Sequence, residues 1–288
     1  MLPKRWRLDL SDGFSFGFLI VALLSVYLFE IFIVLPRVDG GLLSVEFHAL
    51  FGSFIFSNIL GNLAMMMWTD SSTRKIILPS QLKPGWYFCS ACEANSPPRT
   101  FHCPKCNVCI LKRDHHCTFA MCCIGLKNIR YFVMFLFYLS FGSLYATVFN
   151  MYFIWDVLGG FSLFSLSAHL LPFIFVMLGY LNIEVFAYTT LSMLSIIGVL
   201  FVSHLFVFHV QQVIKNQTTF EKMQGVTNYD LGWKANLAES FGQKWYIAWI
   251  FPFVDSPLPS DGLSFNSRDI SNLKFGSYEV SQVRQRHI

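Results

Sequence analysis

The sequence predicts an all-α polytopic membrane protein: four transmembrane helices, with a cytosolic cysteine-rich domain of short β-hairpins between spans 2 and 3. Three observations carry this. Of 288 residues, 54% are hydrophobic and only 13% charged, and mean hydropathy is +0.50; a soluble domain carries about twice that share of charge. From Tyr131 to Ile214 there is no Lys or Arg. All eight cysteines fall between Cys89 and Cys123, a density that fits metal ligation in a reducing compartment better than a disulfide scaffold. The net charge of +4 is modest, and its cations flank apolar runs as topogenic charges do. Nucleic-acid binding would need them clustered on one soluble face, so no nucleic-acid partner is expected.

Taken in order, residues 1–13 form a cytosolic N-terminus, placed by Lys4, Arg5 and Arg7 under the positive-inside rule. Residues 14–68 hold two spans. The first apolar run, Phe14–Leu35, contains Glu30, is long enough to cross a bilayer and lacks a signal-peptide cleavage pattern. After a turn at Gly40–Gly41, the second run is Val45–Trp68. Its Glu46, His48, Asn58 and Asn62 are costly in lipid and are expected to face other helices.

Residues 69–130 return to the cytosol, with nine basic residues against three acidic ones. Residues 131–214 carry spans 3 (Tyr131 to about Trp155) and 4 (within Val185–Val213), separated by an apolar stretch, Phe161–Gly179. Hydropathy alone would make that stretch a fifth span. An even number of crossings must separate residues 130 and 215 if the segment after Ile214 serves the cysteine cluster. The Pro172 stretch is therefore expected at, or dipping into, the luminal side. His169, His204 and His209 are read as packing or interfacial residues, not ligands. Residues 215–288 form a cytosolic C-terminal region. It includes a short interfacial patch, Trp245–Val254, and a mobile tail after Ser260. The sequon Asn216-Gln217-Thr218 would go unused in the cytosol.

The cluster reads C-x2-C-x9-H-C-x2-C-x2-C-x4-D-H-H-C-x5-C. Eight Cys plus His102, His115 and His116 make eleven candidate ligands, while two tetrahedral zinc ions take eight. One allocation gives Cys89, Cys92, His102 and Cys109 to one ion and Cys103, Cys106, His116 and Cys123 to the other. His115, Cys117 and Cys122 are then left over. A spare Cys117 near a spare His115, with Asp114 beside that histidine, is a nucleophile–base–orienter set. From spacing alone a second reading stays open, in which all of these are structural ligands. Cys122 either packs as a small hydrophobe or accepts a group from its neighbour.

The cluster resembles the DHHC family of protein S-acyltransferases, whose signature stands here as Asp114-His115-His116-Cys117. Gly125 and Asn128 follow as in that family. Thr218-Thr219-Phe220-Glu221 fits its TTxE motif, and Asn236 with Phe241-Gly242 fits its short C-terminal motif. The resemblance implies transfer of a palmitoyl group from acyl-CoA to protein cysteines through acyl-Cys117, with His115 and Asp114 assisting. It implies two structural zinc ions in the allocation above and an acyl-chain cavity among four helices, at which Ser140, Gly142 and Ser143 hint. Thr219 is expected near Asp114, Asn236 to hold the C-terminal segment, and Arg99 to meet CoA phosphates. Partners would be membrane-associated proteins with cytosolic cysteines and the bilayer itself, in the endoplasmic reticulum or Golgi. Departures are Thr118-Phe119 for the usual Pro-Trp, Met121-Cys122 for Asn-Asn, Phe101 for a frequent His, and Asp70-Ser71-Ser72 for Asp-Pro-Gly. The alternative is a zinc-stabilised membrane scaffold of the same fold with weak or lost activity. A transporter is weaker still, since the spans hold few ionisable groups and no repeat.

Overall fold

The computed structural model describes residues 9–37 and 44–268. Lys4, Arg5, Arg7 and the Gly40–Gly41 turn lie outside the described residues. The described residues form two compact units: a helical one from residues 13–37, 44–64 and 133–208, and a second from residues 9–12, 65–132 and 209–268.

Among the described residues, four helical stretches are long and apolar enough to cross a membrane: Leu10–Arg37, Val45–Trp68, Ile129–Val157 and Ile183–Ile214. The protein is a multi-pass membrane protein. The first stretch is α1 (Leu10–Phe29), which widens into a π-helical turn at Glu30–Val34 and closes with a 3-10 turn to Arg37. The second and third are α2 (Val45–Trp68) and α3 (Ile129–Val157). Two short helices, α4 (Leu163–Leu170) and α5 (Pro172–Met177), precede the fourth stretch. That stretch runs as α6 (Ile183–Ile197), a π-helical turn at Gly198–Val202, and α7 (Ser203–Ile214).

The Phe161–Gly179 stretch resolves as expected, without a fifth span. A reciprocal cap between Ser162 and Ser165 starts α4. Pro172 starts α5, where its missing N–H costs nothing. Neither piece approaches the roughly 20 residues a crossing takes. His169 is buried and bonds Ser192 Oγ at 2.8 Å, so it packs the helical unit.

Inside that unit, His48 of α2 bonds Tyr145 of α3. Asn58 and Asn62 instead donate to carbonyls of their own helix, at Phe54 and Asn58. Both are buried, as residues that face other helices must be, and Asn58 Oδ1 has no hydrogen-bond partner. Glu30, at the π-helical turn, accepts from Asn150 Nδ2 at 2.7 Å. A cavity of about 340 Å³ lies among these helices, lined largely by apolar side chains such as Leu19, Val26, Phe56, Ile59 and Phe149. Gly142 and Ser143 line it as well, whereas Ser140 bonds Ser203. A Cβ on Gly142 would come 2.9 Å from Ile55 Cγ2, so that glycine lets α2 and α3 approach.

The second unit carries three antiparallel hairpins: β1 (Tyr87–Cys89) with β2 (Ala94–Ser96), β3 (Phe101–Cys103) with β4 (Val108–Ile110), and β5 (His115–Cys117) with β6 (Cys122–Ile124). The short helices α8 (Thr219–Met223) and α9 (Trp233–Phe241) belong to it too. Gly125 is obligatory, because a Cβ there would sit 2.6 Å from the Leu111 carbonyl. Asn128 Oδ1 accepts from Gly125 N at 2.8 Å, while its amide reaches the carbonyls of Met66 and Cys123. Asp70-Ser71-Ser72 joins the same network through Ser71 Oγ, 3.2 Å from Asn128 Oδ1. The tail expected to be mobile is packed over residues 261–268. Gly262 lies against Leu111 and Leu126, and Phe265 against Tyr229. Residues 269–288 lie outside the described residues.

Candidate functional site

The hairpins bring the eight proposed ligands into two quartets: Cys89, Cys92, His102 and Cys109, and Cys103, Cys106, His116 and Cys123. Zn–S bonds of about 2.3 Å and Zn–N bonds of about 2.0 Å in a tetrahedron require S···S near 3.8 Å and S···N near 3.5 Å. In the second quartet His116 Nδ1 stands 3.6, 3.3 and 3.6 Å from Cys103, Cys106 and Cys123, and Cys106 is 3.6 Å from Cys123. In the first, His102 Nδ1 is 3.3 Å from Cys92 and 3.9 Å from Cys89. Both fit zinc, and none of the eight cysteines is in a disulfide. Zinc held there would cross-link successive hairpins.

Each quartet spans two hairpins because the sequence repeats every fourteen residues. Cys89, Cys103 and Cys117 share one register, Phe88, His102 and His116 another, and Cys92, Cys106 and Ala120 a third. The turns share a backbone as well, with Glu93, Asn107 and Met121 in the left-handed region at φ 51°, 49° and 51°.

Cys117 ends β5, half-buried and outside both quartets. Its partner in register is Cys122, which is buried against the Met66 carbonyl. This packing agrees with its reading as a small hydrophobe. His115 also meets the Cys117 side chain. Its Nδ1 bonds Asp114 Oδ2 at 2.7 Å, which fixes the ring's orientation. Burial pushes His115 down, but the Asp114 bond and the Cys117 side chain outweigh it and raise it to about 9. Burial likewise favours a neutral Asp114, and the hydrogen bond and charge of His115 with the Thr219 N–H overcome it, leaving the carboxyl below its usual range. At neutral pH the set is therefore poised as a carboxylate and an imidazolium, with the Cys117 side chain against the imidazolium.

The TTxE segment ties this set down. Thr218 and Glu221 form a capping box that starts α8. Thr219 donates its N–H to Asp114 Oδ1 at 2.7 Å and its hydroxyl to Oδ2 at 2.8 Å. Glu221 takes both Nε and Nη2 of Arg99 at 2.7 Å. Arg99 is 3% exposed, bonds Asn216 as well, and stacks over Tyr229 with 4.0 Å to the ring centroid. This corrects the expectation that Arg99 meets CoA phosphates: its guanidinium is committed inside the protein. Asn216 donates to the Tyr229 carbonyl, so the sequon asparagine is a buried strut. Asn236 bonds Leu231 N, the Ile214 carbonyl and Asp230, which closes the loop leading from α7 to α9.

Two residues escaped the sequence reading. Asp12 Oδ2 accepts from His116 Nε2 at 2.8 Å, and its other oxygen meets Lys105 at 2.7 Å. That bond turns the Nδ1 lone pair of His116 toward the thiolates. An acid at the mouth of an apolar span is costly without a partner, and that was the available signal. His209, taken as packing, lies with its Nδ1 3.9 Å from Asp114 Oδ2 and its ring centroid 5.5 Å from that of His115. Nothing in an apolar helix pattern marks it.

A family model described as DHHC palmitoyltransferase matches residues 83–226. The chain belongs to the DHHC palmitoyltransferase family. It is 35% identical over 212 residues to Probable palmitoyltransferase ZDHHC24 of Mus musculus, covering 73% of this chain and 75% of that protein. It is 36% identical over 231 residues to the Danio rerio protein of the same name, covering 80% and 78%. Human Palmitoyltransferase ZDHHC15 is 31% identical over 194 residues, covering 64% and 51%. The protein is a protein S-palmitoyltransferase of this family, an acyltransferase. Its Thr118-Phe119-Ala120 departure forms one 3-10 turn directly after Cys117, with Phe119 exposed.

Proposed function

We propose that the protein transfers a long-chain acyl group from acyl-CoA to protein cysteines through acyl-Cys117. One observation carries this reading. Cys117 is left out of both ligand quartets, yet it stands beside a histidine whose other face is fixed by Asp114. The Cys117 thiolate attacks the thioester carbonyl, and CoA leaves as a thiol after taking the proton of the His115 imidazolium. A substrate cysteine then loses its proton to His115 and attacks acyl-Cys117, which departs as thiolate. Asp114, held by Thr219, keeps His115 oriented in both steps. Zinc in the two quartets would supply rigidity and no chemistry.

The apolar cavity of about 340 Å³ in the helical unit has the size and lining a hydrocarbon chain needs. The basic excess of residues 69–130 supports a cytosolic cysteine-rich region, with substrates that present cysteines near the membrane. The endoplasmic reticulum or Golgi is the compartment this reading assigns. The test gives purified protein labelled palmitoyl-CoA and follows a hydroxylamine-sensitive label. Wild type should label and Cys117→Ser should not, with both retaining two zinc ions. Equal labelling would return the protein to the scaffold alternative.

A further inference from the structure

We propose that Asp114, His115 and His209 form a third cation site, one that binds zinc reversibly and switches the enzyme off. Beyond the two quartets, one more group of metal-ligating side chains converges in the described residues. Ligand atoms of Asp114, His115 and His209 all lie within 4.8 Å of one another. Asp114 Oδ2 is 2.7 Å from His115 Nδ1 and 3.9 Å from His209 Nδ1. Around a tetrahedral zinc, N and O ligands stand about 3.3 Å apart. The first separation must therefore open and the second close by similar small amounts. Two imidazoles and one carboxylate, with a position left for solvent, is a donor set borderline divalent cations take.

The surroundings favour a metal over a loose cluster. Asp114 and His209 are buried, which fixes two of the three donors, while the His115 side chain is 31% exposed and leaves a way in. Phe132 stands edge-on to both rings, with centroids 5.0 Å from His115 and 4.8 Å from His209, so the imidazoles keep their facing arrangement. His115 lies on β5 next to His116, a ligand of the second quartet. Its occupancy would occupy the lone pair of His115 and replace the Asp114–His115 hydrogen bond. On the reading that these residues assist Cys117, transfer must stop. A hard cation such as magnesium, which prefers oxygen ligands, should leave the enzyme running.

The experiment uses full-length purified protein carrying its two structural zinc ions, kept reduced with a phosphine so that no added thiol competes. Added zinc should raise bound metal from two ions to three and suppress labelling by palmitoyl-CoA, and brief EGTA treatment should reverse both. His209→Phe keeps a ring against Phe132 but removes a donor. It should stay at two ions, and its half-inhibiting zinc concentration should rise about tenfold or more. His209→Cys restores a donor and should recover the third ion. The dead Cys117→Ser variant should still take three ions, so the metal count stands even if Cys117 were not the acyl carrier. Two outcomes overturn the proposal. One is wild type inhibited by zinc while holding only two ions. The other is His209→Phe, with both structural zincs in place, responding to zinc as wild type does.

Discussion

Hairpin β3–β4 and hairpin β5–β6 open on the same dipeptide, His102-Cys103 in one and His116-Cys117 in the other. Seven residues later each closes on a ligand cysteine, Cys109 or Cys123. In both, the histidine and the closing cysteine sit opposite each other in register and serve the upstream quartet. They part at the second residue of the dipeptide. Cys103 pairs with Cys106 to begin the next quartet, whereas the position matching Cys106 in the third hairpin is Ala120. The positions that would complete a further quartet are Arg130 and Phe137, already in α3. Cys117 thus occupies a zinc-ligand register with no thiolate partner and nothing downstream to receive a metal. On the proposed mechanism, the nucleophile is what remains where a run of thiolate sites stops.

Breaking the metal-binding hairpin should have the largest effect. Structural zinc in small domains contributes about 10–16 kcal/mol of folding free energy. Cys106→Ala should lower zinc content from two to one or none, with loss of protease resistance in residues 69–130. Cys122→Ala, in the third hairpin, should keep both ions. If Cys106→Ala kept two, the quartet assignment would be wrong.

The next effect tests what ties the two hairpins to a common frame. Arg99, just before β3, pairs with Glu221, and Asp114, just before β5, receives Thr219. One short helix, α8, therefore grips both. Removing one partner of a buried ion pair costs about 3–5 kcal/mol, because the other charge is left without compensation. Glu221→Gln should lower the unfolding midpoint by that scale and slow labelling while Cys117 is intact. Arg99→Lys, with Glu221 present, should also destabilise, since an ammonium cannot make the two parallel bonds. A CoA-contact role for Arg99 would instead weaken acyl-CoA binding and leave stability alone.

Much of this was legible in residue order, for a definite reason. Ligand spacing and span length are local properties, so counting donors pointed to two metal ions with three residues left over, the resemblance favoured one allocation, and parity favoured four crossings once the TTxE segment was assigned to the cysteine cluster. What stayed hidden depends on contacts far apart in sequence. Arg99 read as a free cation because its acid lies at Glu221, and His209 read as helix packing because its neighbours lie at Asp114 and His115. TTxE read as a signature, while in the structure Thr218 and Glu221 cap a helix and the Thr219 hydroxyl donates to Asp114. The fourteen-residue register was present in the sequence all along. Substitutions at Phe88, Asn95 and Ala120 disguise it by interrupting the Cys/His pattern.

Completing the missing pair should convert one hairpin toward the other. Ala120→Cys restores the C-x2-C turn of hairpin β3–β4 behind Cys117, and Ala120 is fully buried beside it. Two thiolates on such a turn chelate a soft metal. Labelling should fall on the order of a hundredfold as the thiolate is captured. Cadmium or zinc retention should rise, and a strong chelator should return part of the activity. Ala120→Ser, of similar size, should do neither. If Ala120→Cys labelled at the wild-type rate, the shared register would have no chemical meaning.

The smallest effect concerns the turn itself. Asn107 and Met121 occupy the same left-handed position, yet asparagine tolerates it and methionine pays about 1 kcal/mol for the clash of its Cβ with the next carbonyl. Exchange in opposite directions isolates that cost from zinc and from the nucleophile. Met121→Asn should raise the unfolding free energy by about 0.5–1 kcal/mol and Asn107→Met should lower it by a similar amount. Denaturant midpoints of the zinc-loaded protein would measure both. Equal and opposite shifts would show that the catalytic turn inherits its shape from the zinc-binding one. A gain missing only at Met121 would mean that the burial of Cys122 under Met66, rather than the turn's own preference, holds Cys117 in place.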